Sequence, residues 1–131
     1  MNFAQSVKLW TNKTDDNIEK IRRAIVLSLF KSVILDTPVL EGRLRGDWQI
    51  TSNDPASGEA NIIDPDGNKS IQNVSKFVQR MPKGEQDIYL TNNLPYAYKI
   101  EYGGHSSQKA PEGMVRKNII RISENIRRQY G

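Results

Sequence analysis

The first third of the chain carries an apolar row that only a long helix gathers onto one side. Phe3, Val7, Trp10, Thr14, Ile18, Ile21, Ile25, Leu29 and Val33 recur at spacings of three and four, with Asn17, Ser28 and Ser32 beside the row. This is the period of an amphipathic helix. Thr14, Asp15 and Asp16 could also open a fresh helix, since acids are favourable in a first turn. The row passes through Thr14 without losing register, so one long helix is expected, kinked near Asn12. It should end before Pro38, because the residue preceding proline avoids helical backbone.

Shorter elements follow. Pro38, Gly42 and Gly46 punctuate "TPVLEGRLRGDWQI" as a loop, after which "DWQIT" reads as a short strand with Trp48 and Ile50 on one face. "ANIID" is a second strand candidate, and "DPDG", Asp64 to Gly67, is a turn. Ile71, Val74, Phe77, Val78 and Met81 then stand at helical spacing, ended by Pro82 and Gly84. "DIYLTN" alternates as a strand, with Ile88 and Leu90 opposite Tyr89. Beyond Pro111, the row Val115, Ile119, Ile122, Ile126 and Tyr130 predicts an amphipathic C-terminal helix, with Ile120 off the row. The expected fold is α+β: a long N-terminal helix and further helices on a small, mainly antiparallel sheet, in a single domain over 1–131.

Composition narrows the function. A chain of 131 residues fits one domain and buries about two thirds of its unfolded surface. Hydrophobic residues are only 37%, which leaves room for a partner to complete the burial. There is no cysteine, so disulfides and thiolate metal sites are excluded. "MNFAQSVKLW" does not read as a secretory leader, and no apolar run is long enough to span a bilayer, so a soluble product is expected. The net charge of +4 resides in residues 109–131, where six cations meet two acids; residues 1–108 balance to zero. Such a tail suits nucleic acid, an acidic protein surface or a solvated helix face.

No motif points to catalysis. His105 is the sole histidine, which rules out two-histidine metal sites. Ser106 and Ser107 do not make a triad, and no G-x-S-x-G stretch is present. "DPDGN" lacks the downstream spacing of a calcium loop. No metal or cofactor is expected. In an extended "GRLRG", Arg43 and Arg45 would share a side, ready for a carboxylate or phosphate or for local pairing with Glu41 or Asp47. Tyr98 and Tyr102 stand four apart on a helix, with Leu94 on their face and Tyr96 and Lys99 elsewhere; such residues serve interfaces and cores alike.

Three blocks in order carry a resemblance. Thr37, Pro38, Val39, Gly42, Leu44, Arg45 and Trp48 match a T-P-V-D-T-G-x-L-R-x-x-W pattern, with Leu40-Glu41 in place of Asp-Thr. Asn92 or Asn93, Pro95, Tyr96, Ala97, Glu101 and Gly103 match N-x-x-P-Y-A-x-x-x-E-x-G, and Pro111, Gly113, Met114, Val115 and Arg116 match P-x-G-M-V-R. The chain thereby resembles the neck or tail-completion proteins of long-tailed bacteriophages, the minor tail components of the head–tail junction. The resemblance covers most of the chain, with 54–83 least diagnostic. It implies a non-enzymatic virion protein, made in the host cytoplasm, a monomer in solution and assembled in the virion as a ring subunit, hexameric or dodecameric, between connector or stopper proteins and tail-terminator or tail-tube proteins. DNA would pass through the lumen without specific binding, and no membrane would be involved. Arg43, Arg45, Trp48, Tyr96, His105, Lys109, Arg116, Arg127 and Arg128 are the candidate interface residues. The rival class is a small basic nucleic-acid-binding protein.

Overall fold

The computed structural model describes residues 15–39, 41–81, 83–84, 86–102 and 113–130. Helix α1 (Asp15–Asp36) supplies the backbone of the fold. It stops where Thr37 turns back, its amide donating to Ile34 O at 3.2 Å and its hydroxyl to Val33 O at 2.7 Å. Pro38 then blocks continuation. Whether the helix extends through 1–14 lies outside the described residues.

A one-turn helix α2 (Arg43–Gly46) leads into strand β1 (Gln49–Ser52). Helix α3 (Asn68–Arg80) and strand β2 (Ile88–Thr91) follow. The strands pair antiparallel in the register Ile50↔Leu90 and Thr51↔Tyr89. Helix α4 (Ala97–Tyr102) and helix α5 (Arg116–Tyr130) complete the order. The α+β expectation is met, with a two-stranded antiparallel sheet as its β component.

The core gathers Val33 and Ile34 of α1, Leu44, Trp48, Val74, Val78, Leu94, Ala97, Ile100 and Met114. Because α1 packs against both α3 and α5, its buried arc is broader than one row. Val26, Leu27, Phe30 and Ile34 therefore join Leu29 and Val33 on the inside. The same physics burying a 100°-wide stripe also holds α3, where Val74 and Val78 face the core.

Four expectations need correction. "GRLRG" is a helical turn rather than an extended loop. Trp48 stands just before β1 rather than within it, and is buried in the core against which Ile50 packs. The 60–64 segment forms no strand: Ala60 N donates to Asp47 Oδ1 at 2.7 Å and Asp64 N to Gly42 O at 3.0 Å, so the amides at its two ends are satisfied without a ladder. It also crosses Gly46 so closely that a Cβ there would lie 2.0 Å from Ile62 O. Finally, Ile119 belongs to the predicted inner row of α5 yet is exposed, because the inward contacts are made by Asn118 and by Met114 and Val115 in the turn before the helix.

Candidate interaction surface

The first motif block closes on itself. Arg45 donates from Nε to Thr37 O at 3.1 Å, from Nη1 to Pro65 O at 2.7 Å and from Nη2 to Leu35 O at 2.8 Å. Its planar fork thus satisfies carbonyls at the C-terminal end of α1 and in the 64–67 turn together. Trp48 Nε1 donates to Thr37 Oγ1 at 2.8 Å, inside the core. Arg45 and Trp48 are therefore fold-holding residues, not an exposed recognition pair. Arg43, two residues from Arg45, is exposed instead.

The second block docks onto the first. Asn92 Nδ2 donates to Leu44 O at 2.8 Å, and Asn93 N donates to the buried Asp47 carboxylate at 2.6 Å. Tyr96 packs against the core; burial pushes its hydroxyl pKa up, opposed by the nearby Arg43 charge. Leu94 is buried while Tyr98 and Tyr102 are exposed, so the three do not share a face. Leu94 lies before α4 begins, where its carbonyl accepts from Ala97 N at 3.1 Å and its amide donates to Asn92 Oδ1 at 3.2 Å.

The third block is held by Glu101. Its side chain is 7% exposed. Its Oε1 accepts from Met114 N at 2.6 Å and Val115 N at 2.8 Å, and Oε2 accepts from Arg116 N at 3.1 Å and Arg116 Nε at 2.9 Å. A carboxylate at a helix N-terminus meets otherwise unpaired amides and the positive end of the dipole. Burial pushes the Glu101 carboxyl up, but the Val115, Met114 and Arg116 hydrogen bonds outweigh it, and the net direction is down. Gly113, at φ +81, is pressed so tightly on this carboxylate that a Cβ would lie 2.6 Å from Oε2. Asp64 acts similarly at α3: burial raises its carboxyl, the Ser70 and Lys69 amides lower it by more, and the net direction is again down. Glu101 and Asp47 were not singled out by sequence reasoning for these roles, since their amide partners lie 13 or more residues away.

Outside this polar hub, one face is open. Tyr98 and Tyr102 of α4 stack with centroids 4.9 Å apart, and the Arg116 guanidinium lies 4.5 Å from the Tyr102 centroid. Ile119 and Ile120 are exposed on the adjoining α5. The cations of this helix are partly matched: Lys117 and Arg121 reach Asp36 Oδ2 at 3.6 and 3.7 Å, and Arg128 reaches Glu124 at 3.6 Å. Among the described residues, no carboxylate lies within ion-pair distance of Arg127. His105 and Lys109 lie outside the described residues.

A cleft of about 690 Å³ separates β1 from α3, lined by Trp48, Ile50, Ile62 and Phe77 with Lys76 and Arg80. No carboxylate or histidine lines it. Among the described residues, no cluster of three His, Cys, Asp or Glu could hold a metal ion, and no helix is long and apolar enough to cross a membrane. Comparisons with family models, curated proteins and solved structures found no match to this chain.

Proposed function

We propose that the protein is a structural subunit of a long-tailed bacteriophage, joining head to tail or completing the tail as part of a ring at the head–tail interface. It is made in the host cytoplasm and functions in the virion, between connector or stopper proteins and tail-terminator or tail-tube proteins. The observation that carries this reading is the interlocking of the three motif blocks. Thr37, Arg45 and Trp48 bind one another; Asn92 and Asn93 bind Leu44 and Asp47; Glu101 binds the start of α5. The residues that carry the resemblance thus act together as one scaffold, and the face left over is tyrosine-, isoleucine- and arginine-bearing, the composition of a protein interface.

Deleting the gene from its phage and viewing the lysate by electron microscopy tests the role. Filled heads beside separate tails, or tails of wrong length, are expected. Normal infectious particles would overturn it. The nucleic-acid reading draws on the basic α5, but Lys117, Arg121 and Arg128 already face carboxylates. DNA affinity falling steeply with added salt would favour that reading.

A further inference from the structure

We infer that the exposed face of α4 and α5 takes the 53–66 loop of a second copy of this chain. The inference rests on the proposed ring role for its head-to-tail order, while the contact itself is argued from two surfaces that complement each other.

The first surface mixes exposed apolar residues with cations. Of six large hydrophobic residues exposed among the described residues, four lie here: Tyr98, Tyr102, Ile119 and Ile120. Arg116, Ile120, Ser123 and Arg127 follow a four-three-four spacing, so they form one outward row along α5. Residues 113–130 hold five cations against Glu124 alone.

The second surface is its opposite in charge. Residues 53–66 hold Asp54, Glu59, Asp64 and Asp66 and no lysine or arginine. Asp64 is buried on the α3 amides, which leaves Asp54, Glu59 and Asp66 exposed in the same loop as Ile63, itself 54% exposed; Arg45 and Lys69, which reach Pro65 O and Ile63 O, offset part of this charge from outside the loop. The loop is irregular but held in shape. Gln49 Nε2 donates to Gly58 O at 3.0 Å, Asn93 Nδ2 donates to Ala56 O and Gly58 O at 2.9 and 2.8 Å, and Thr51 Oγ1 donates to Asp54 O at 2.6 Å. A loop fixed this way loses little entropy on docking. Among the described residues, no ion pair joins it to α5 of its own chain. Ile63 set against Ile119 and Ile120, with the exposed acids of the loop available to the α5 arginines, is a heterologous contact of the kind that closes rings.

The absence of native cysteine makes the test clean. Ile63→Cys chains are mixed with Ile120→Cys chains and oxidised mildly. The mixed cross-link should exceed either homodimer by about tenfold, in keeping with a specific charge-guided contact. Adding Arg127→Glu and Arg128→Glu to the Ile120→Cys chain should remove the excess. Pairing that chain with an Asp54→Lys, Glu59→Lys version of the Ile63→Cys chain should restore it, while thermal melts of all variants stay unchanged. Equal yields of all three dimers, no cross-link, or no rescue by the charge swap would overturn the inference. Failure here with a joining defect on gene deletion would leave the proposed function standing; a specific cross-link with normal phage would do the reverse.

Discussion

Arg45 and Arg127 carry the same guanidinium into opposite settings. Arg45 spends its fork on the carbonyls of Leu35, Thr37 and Pro65, tying the end of α1 to the 64–67 turn. Arg127 stands exposed on α5, with no carboxylate within ion-pair distance among the described residues. Tyrosines divide in the same way: Tyr96 leans on the core, whereas Tyr98 is 71% exposed. In the hub, side chains complete the hydrogen bonding of backbone that has no ladder or helix partner. On the α4–α5 face the side chains of Tyr98, Ile119 and Ile120 supply no such backbone bond and stand exposed, available for a partner. The comparison teaches that backbone need, rather than residue type, assigns the role.

The sharpest way to break this contrast is Glu101→Ala. It strips the amides of Met114, Val115 and Arg116 of their acceptor, and chemical denaturation should show a loss of about 3 kcal/mol. An unchanged midpoint would dissolve the distinction between hub and face. Acid should reproduce part of that loss. Glu101 and Asp64 both have folded-state pKa values below their unfolded ones, so the unfolded chain binds more protons between the two. Their stabilisation is complete above the ordinary carboxylate range, about pH 4 to 5, and is lost as pH falls through the lower folded values. Denaturation midpoints measured down that range should decline, and Glu101→Gln should flatten the slope.

Trp48→Phe keeps an aromatic ring in the core but removes the bond to Thr37 Oγ1. A cost of about 1–2 kcal/mol is expected, and Thr37→Val in the same background should add less than it does alone. Tyr98→Ala sits at the other end of the scale. Its effect on folding should stay within about 0.5 kcal/mol, because it touches the hub nowhere and its ring pairs only with exposed Tyr102. A larger loss would move the α4–α5 face into the fold-holding class.

Local rules were legible in the chain. The spacing of Val74 and Val78 placed α3, and "DPDG" placed the turn that Gly67 N closes on Asp64 O at 3.1 Å. Both depend on neighbours a few residues apart. The corrections share the opposite cause. "ANIID" has the look of a strand, yet Asp47 and Gly42 satisfy its backbone from 13 and 22 residues upstream, at Ala60 and Asp64 respectively. The α5 periodicity marked a row containing Ile119, but which row turns inward was set by how Met114, Val115 and Asn118 meet the rest of the molecule.

The amino-acid sequence by itself determined the α+β class, the existence of α3, β2 and α5, and the concentration of positive charge near the C-terminus. Each follows from periodicity, turn chemistry or composition, which act over a turn or two of chain. Only the tertiary structure decided that Arg45, Trp48, Asp47 and Glu101 hold the fold, and that Tyr98, Tyr102, Ile119 and Ile120 remain outside it. Those assignments depend on which distant amide or carbonyl needs a partner, and that need arises only once the elements have packed.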